Sequence, residues 1–396
     1  MNELATEFSG DGPPGCDESA SFSYRSAHRC IDASGIFERI SRPAMLKNAD
    51  DRAFWLHIKQ AMNRAKQAGV EAPIVVGAIP FDASQPSCLY IPKEYQFISA
   101  STADAKTLNS IDKINSIISI KNIPEAPQFK SAVASALNYF QNGEIRKVVL
   151  SRMVEIELEQ KIDRQNIINN LRLRNPGGYH FSLPLPDGGI LLGASPELLI
   201  RKEGRFIHSQ PLAGSAPRHS DSRQDKTNAS QLLDSEKDRH EHRIVVDDIR
   251  QHLSSLCRDL TLPETPSLLS TDTMWHLATA IRGELAQAET SVIQLACLLH
   301  PTPALCGTPT AAARDLIALL EPYDRGVFSG IVGWCDANGD GEWAIAIRCG
   351  IVQRRLVRFF AGAGIVAGSE PHKEWAEVSG KLGTMLRAFG LHTEDI

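Results

Sequence analysis

The sequence predicts a mixed, largely antiparallel α+β fold, and three observations carry that expectation. Apolar strand-like runs come as neighbours separated by hairpin-length turns, in 178–185 and 188–215 and again across 330–366. Helical periodicity is confined to separate stretches that do not alternate one-for-one with strands, which argues against a doubly wound sheet. At 396 residues, 42% hydrophobic and 22% charged, the chain has an ordinary globular composition and enough length for a large core.

Residues 1–20, rich in Gly, Pro, Ser and acid, are expected to form a mobile tail. Residues 21–396 are expected to form a single α+β domain, with a smaller N-terminal lobe over about 21–120 and a larger part over about 121–396. Residues 51–69 carry Phe54, Ile58 and Met62 at helical spacing and end at Gly69, a helix terminator. IVVGAIPF (74–81) reads as a compact apolar strand. A polar connector over 101–126 is closed by Pro124 and Pro127. Next come a helix near 127–142, a strand in 146–159 and a helix near 162–174. One long helix is expected over 230–256, and shorter ones near 290–299 and 309–319. The chain then runs through the strands GIVGWCDA, EWAIAIRCGIV and VRFFAGAGIV into a Gly/Ala loop and a last helix. No internal repeat is present.

Several function classes are excluded early. A net charge of −5 supplies no basic face for nucleic acid. No run of about 18 apolar residues suggests a membrane span, and the N-terminus MNELATEFSGDGPPGCDESA lacks an apolar signal core. The eight cysteines are scattered without a CxxC pair, as expected for reduced thiols, so a cytoplasmic protein is predicted.

Three motifs invite a reading that their spacing refuses. DANGDGEW (336–343) opens like a calcium loop, but Ile347 stands at the twelfth position where a bidentate Glu is needed, so a hairpin turn is expected. His240 and His242 are two apart and point to different helix sides, unlike the histidines of HExxH. GAGIVAG (362–368) brings its third glycine one residue late for a dinucleotide fingerprint and lacks a βαβ context. Its small residues still allow backbone to approach a ligand closely.

The helix behind that loop is more informative. Glu374, Glu377 and Lys381 lie at i, i+3 and i+7 on one face, which is either a solvated face or a site. Lys237 and Glu241 are four apart on the long helix, beside apolar Ile244 to Val246. Carboxylates on two helices, without Cys or a suitable His, suit a hard cation such as Mg²⁺. Lys147 is either an exposed edge residue or, facing a closed site, a general base. Glu197, in the apolar GASPELLI, would hold its proton tightly enough to act as an acid.

Together these segments resemble the chorismate-utilising enzymes. The resembling pieces run in family order: KVVLSR (147–152), GASPELL (193–199), PLAGSAPR (211–218), SEKDRHEHRIVVDD (235–248), WHLAT (275–279), LLHPTPALCG (298–307), FSGIVGW (328–334), AIRC (346–349) and AGAGIVAGSEPHKEWAEVSGK (361–381). IVVGAIPFDASQPSCLYIP (74–92) further resembles isochorismate synthases of catecholate-siderophore, enterobactin-type pathways.

The resemblance implies two antiparallel sheets packed face to face with helices around them, and a catalytic part over about 121–396. It implies chorismate as substrate and Mg²⁺ as cofactor, bound by Glu241 and Glu377 with Glu374 nearby through water. By the same likeness Lys147 activates the water that attacks C2, and Glu197 protonates the hydroxyl leaving C4. Gly214, Ser215, Ala304, Arg348, the loop Ala361, Gly362, Ala363 and Gly364, and Lys381 would hold the ring and its carboxylates. His276 would lie against the ring carboxylate. The product would be isochorismate on the way to 2,3-dihydroxybenzoate, made by a monomer with at most transient contact to the downstream isochorismatase.

Two departures separate subfamilies. Ammonia-using relatives typically carry Gln where Lys147 stands, and those with a covalent lysine carry it where this chain has Ala213. Both favour water as nucleophile. Salicylate synthase is the alternative, since it shares the Lys and both acids. A non-catalytic chorismate binder is a third reading, disfavoured because Lys147 and Glu197 are both chemically competent.

Overall fold

The computed structural model describes residues 21–45, 51–98, 117–141, 143 and 145–396. The expected tail (1–20) lies outside them, as does the expected connector as far as residue 116. The strands begin with Ser21–Arg25 (β1), Cys30–Ile40 (β2), Ile74–Ile79 (β3), Cys88–Ile98 (β4), Ile117–Ile123 (β5) and Lys147–Leu158 (β6). They continue with Tyr179–Pro184 (β7), Ile190–Ser195 (β8), Leu198–Glu203 (β9), Phe206–Gln210 (β10), Leu212–Pro217 (β11) and Cys257–Thr261 (β12). Ser267–Ser270 (β13), Met274–Ala278 (β14), Ile281–Leu285 (β15) and Gly307–Thr308 (β16) follow. Ile331–Asp336 (β17), Gly341–Ile345 (β18), Cys349–Gln353 (β19) and Leu356–Ile365 (β20) complete them. The helices are Asp51–Gln67 (α1), Ala126–Gln141 (α2), Arg164–Arg174 (α3), Ser222–Asp234 (α4) and Glu236–Ser254 (α5). Val292–Leu299 (α6), Thr310–Leu320 (α7) and Pro371–Ala388 (α8) follow them.

The described ladders are antiparallel. One hydrogen-bonded path runs β12-β15-β10-β9-β18-β17-β3-β4-β2. It goes on through β1-β7-β8-β19-β20-β6, with β5 and β16 sharing the outer edge of β6. A small sheet, β11-β14-β13, stands apart. The long path doubles back on itself as two layers, so that Val76, Trp334 and Ala344 of one arm share a core with Tyr24, Phe181, Leu191 and Phe360 of the other. Helices α1, α5 and α6 cover one outer face, and α2, α3, α7 and α8 cover the other.

This layering explains the strand sequences. In β3, Ile74, Val76 and Ala78 point into the inter-sheet core while Val75 and Ile79 lie under helices, so the whole run IVVGAI is apolar. All six residues of β3 pair with β17, and β1 pairs with β7. The expected N-terminal lobe is thereby hydrogen-bonded into the same sheet path as the rest. Among the described residues, no helix is long and apolar enough to cross a membrane.

Three expectations need correction. The end of the polar connector is strand β5, registered against Met153 to Leu158. The single long helix over 230–256 is two helices, because Ser235 leaves helical geometry (ψ 111°) and its side chain caps α5 by accepting from Asp238 N–H. EWAIAIRCGIV is likewise two strands, broken at residues 346–348. The hairpin expected at 336–340 is present: the Asp336 side chain accepts from the N–H groups of Asn338 and Asp340, both at 2.9 Å.

Candidate active site

Two adjacent strand breaks create the site. The chain leaves β8 for β9 through Pro196 and Glu197, and leaves β18 for β19 through residues 346–348. Because β8 pairs with β19 and β9 with β18, each break carries the chain from one layer to the other. The two crossings are stitched together: Ile345 N–H donates to Glu197 O at 3.2 Å, and Ala194 N–H donates to Arg348 O at 3.1 Å. Arg348 takes a φ of +49° and Ser329 one of +59°, left-handed conformations uncommon for such residues. Backbone strain of this kind concentrates at functional sites.

Strand alternation then sorts the flanking residues. On β6, Val148 and Leu150 lie in the helix-covered core, so Lys147, Val149 and Ser151 face the space between layers. β6 is flanked by β16 and β20 here, and Lys147 is fully buried, so it is not an edge lysine. On β20, Ala361 and Ala363 pack in the helix-facing core, leaving Gly362 and Gly364 toward the site. A Cβ on Gly364 would stand 2.1 Å from Glu241 Oε1 and 3.0 Å from Lys147 Cε. Only glycine leaves room for that carboxylate. Gly214 has φ +78°, and a Cβ there would meet the Asp238 side chain at 3.0 Å.

The result is a cavity partly open to solvent, with about 680 Å³ of space including that at its open mouth. Of the residues singled out in the sequence, Glu197, Gly214, Ser215, Glu241, His276, Ala304, Arg348, Ala361, Gly362, Gly364 and Lys381 border it. Lys147 stands just behind Glu241, its Nζ 2.9 Å from Glu241 Oε1 but out of hydrogen-bonding alignment. Ala363 is not on the lining, and its methyl belongs to the core beneath α8, which corrects its place in the expected loop contact. Glu374 and Glu377 lie next to the lining rather than on it, reached through Lys381 and Lys237.

Each of the three expected metal-binding acids faces a lysine. Besides Lys147 with Glu241, Lys237 Nζ donates to Glu374 Oε1 at 2.9 Å, and Lys381 Nζ lies 2.6 Å from Glu377 Oε1. Ser215 Oγ donates to Glu377 at 3.0 Å, and Lys381 also donates to Gly362 O at 3.0 Å. Burial works to raise the Glu377 carboxyl, but Lys381, Lys237 and Ser215 outweigh it and hold it below the ordinary range. Glu374 goes the other way, raised by burial and by the neighbouring Glu377 charge. Among the described residues, no three His, Cys, Asp or Glu side chains are already gathered as a metal cluster. Glu374 Oε2 is nevertheless buried without a partner, and Glu374, Glu377 and Glu241 all act on Lys237. An all-oxygen donor set with a spare buried lone pair fits a hard cation.

Glu197, His276 and Arg348 are all strongly perturbed at the cavity. Burial pushes Glu197 up to about 7, offset only in part by the Leu212 N–H and by the charges of Lys147 and Lys381. His276 Nε2 lies 3.2 Å from an Arg348 Nη2, which can only donate, so that ring nitrogen accepts and the proton sits on Nδ1. Burial, Arg348 and Lys381 together drive His276 well below its usual range, leaving it neutral. His242 is spent on structure, with Nδ1 3.2 Å from Ala213 O and Nε2 2.7 Å from the Thr279 hydroxyl, while His240 is exposed.

The apolar wall was not anticipated: Val149, Leu305, Phe328, Ile347 and Phe360 all border the cavity. Period-2 alternation could have found Val149 from Lys147 and Phe360 from Gly362. Ser329 gave no sequence signal for its conformation.

A buried acid on the cavity wall, a buried lysine just behind it, and an arginine and further carboxylates alongside mark a candidate active site. Residues 90–390 match the family described as chorismate binding enzyme, and the chain belongs to that family. It is 45% identical over 373 residues to the isochorismate synthase EntC of Escherichia coli (strain K12), covering 94% of this chain and 95% of that one. It is 40% identical over 376 residues to the isochorismate synthase DhbC of Bacillus subtilis (strain 168), covering 93% and 94%. A crystal structure described as a 2,3-dihydroxybenzoate-specific isochorismate synthase, DhbC from Bacillus anthracis, matches with a TM-score of 0.88 and 39% identity, covering 95% of this chain and 98% of that one. These matches bear out both the α+β fold of packed antiparallel sheets and the likeness to siderophore-type isochorismate synthases.

Proposed function

We propose that the protein converts chorismate to isochorismate, water adding at C2 as the hydroxyl leaves C4, to supply 2,3-dihydroxybenzoate for a catecholate siderophore. The observation that carries this reading is a buried acid on the cavity wall, Glu197 at 3% exposed, with a fully buried lysine, Lys147, directly behind Glu241 of the same wall. With its carboxyl pushed up to about 7, Glu197 retains a proton near neutrality and can deliver it to the departing hydroxyl. Lys147, held by Glu241, activates the attacking water. Arg348, whose Nη1 donates to Lys381 O and Thr384 Oγ1 and whose Nη2 donates to neutral His276, keeps a second Nη2 proton for a carboxylate. Gly214, Ser215, Ala304, Lys381 and Ala361, Gly362 and Gly364 enclose the ring and its side chain.

Glu241 and Glu377, with Glu374 through water, would hold Mg²⁺, whose chemistry is to neutralise and orient a substrate carboxylate. Glu241→Gln or Glu377→Gln is expected to raise the Mg²⁺ concentration for half-maximal turnover; an unchanged titration removes that residue from the metal site.

The deciding experiment incubates purified protein with chorismate and Mg²⁺ and identifies the product by NMR. Isochorismate is expected. Salicylate plus pyruvate would establish the salicylate synthase reading, and bound but unchanged chorismate would mark a non-catalytic binder. A monomer in contact only transiently with an isochorismatase is part of the proposal, and sedimentation at more than one chain mass would remove it.

A further inference from the structure

We propose that Glu321 and Arg325 are positioning residues of this cavity, a buried ion pair that sets the spacing of three of its wall segments. The inference rests on the reading of the cavity given above. Neither residue borders the cavity, yet Arg325 is 3% and Glu321 9% exposed. The guanidinium grips the carboxylate with two bonds, Nε to Oε2 at 2.8 Å and Nη2 to Oε1 at 2.6 Å. Its other bonds go to backbone carbonyls of two wall residues distant in sequence: Nη1 to Leu305 O and Nη2 to Val149 O, each at 2.8 Å. Glu321 Oε1 in turn accepts from the N–H and the hydroxyl of Ser151, both at 2.7 Å. The third segment is tied by Phe328 N–H, which donates to Arg325 O at 2.9 Å.

The segments held are the ones that carry the chemistry. Val149 and Ser151 share a strand face with Lys147, Leu305 follows Ala304, and Phe328 precedes Ser329. A buried ion pair adds little to stability compared with well-packed apolar residues, so stability alone is a poor reason for one here. A rigid fork that bonds two carbonyls at once does what packing cannot: it fixes the distance between the strand bearing the base and the loop facing it. An error of about 1 Å in such a distance costs roughly a hundredfold in rate.

The test compares Arg325→Lys and Ser151→Ala with the parent. Lysine can keep the charge opposite Glu321 but cannot bridge both carbonyls, and Ser151→Ala removes the hydroxyl's contacts with Glu321 and Tyr323 without stranding a charge. Calorimetric titration with chorismate counts binding-competent chains, so that kcat is expressed per such chain. Arg325→Lys is expected to lower that kcat about tenfold to hundredfold with KM changed less than about threefold, and Ser151→Ala to lower it several-fold. A kcat within about twofold of the parent, with only a lower Tm, would show a merely structural network and overturn the proposal. If Arg325→Lys does not fold, Ser151→Ala decides by the same criterion. Should the parent bind chorismate without converting it, the proposed activity falls, and the network is judged on binding. In that case an affinity loss of about tenfold in Arg325→Lys supports the proposal and an unchanged affinity overturns it.

Discussion

At the scale of single residues, burial of Glu197 links stability and activity through one proton. A carboxyl raised from its ordinary value to about 7 binds its proton more tightly in the folded chain than in the unfolded one. The folded state is therefore favoured at low pH and loses about 3 kcal/mol as pH rises from roughly 4.5 through 7, after which the loss is complete. Glu197→Gln removes that cost. The variant is expected to lose about 10²- to 10⁴-fold in kcat. It should gain up to about 3 kcal/mol in stability at pH 8, a gain that shrinks to nothing below about pH 4.5. Denaturant titrations at both pH values check this, and a parent-like stability at pH 8 would show that the carboxyl is not raised. In the parent, activity should fall as pH rises through about 7, as the acid loses its proton. Lys147→Ala is expected to lower kcat by at least about 10²-fold with an unchanged circular dichroism spectrum, and near-normal turnover would remove it from the chemistry. The identity of both residues was legible from the sequence. The burial of Glu197 followed from its apolar run, but that of Lys147 did not, since a strand lysine beside Arg146 fits an edge equally well.

Helices and strands carry the next level of information, and glycine is its clearest instance. The segment GAGIVAG resembles a phosphate loop by composition, yet β20 uses its glycines to clear space: Gly364 makes room for Glu241 from α5. Gly364→Ala should leave the fold intact while displacing Glu241, raising the Mg²⁺ requirement for turnover about tenfold or more. A parent-like metal titration with an intact spectrum would contradict the close approach. The division between α4 and α5 was also legible, because Ser235 with Asp238 three residues on is a capping signature. The hairpin strands of 257–285 escaped notice. They are short, and no residue of β12 or β13 is buried, so no core-facing row of apolar residues marks those two strands by alternation.

For the whole molecule the decisive feature is the path of the sheet. β3 and β4 lie in its middle, between β17 and β2, so residues 21–120 supply inner strands rather than an appendage. Deleting 21–120 would expose the full edge of β17 and strip the core from Trp334. The remainder is expected to be insoluble or unfolded, and a soluble, catalytically active remnant would show the N-terminal lobe to be separable. The sequence by itself determined the antiparallel α+β class, eleven of the residues that border the cavity, and the family, because these depend on local periodicity and on short motifs. Tertiary structure alone decided that Lys147 is buried, that Ala363 faces away, and that Arg348 and Glu197 stand together. Those facts depend on strand pairings between residues about 150 positions apart, where β8 and β9 cross between layers beside β18 and β19. No local pattern encodes such a crossing, since it is the packing of the two layers that turns both chains at one place.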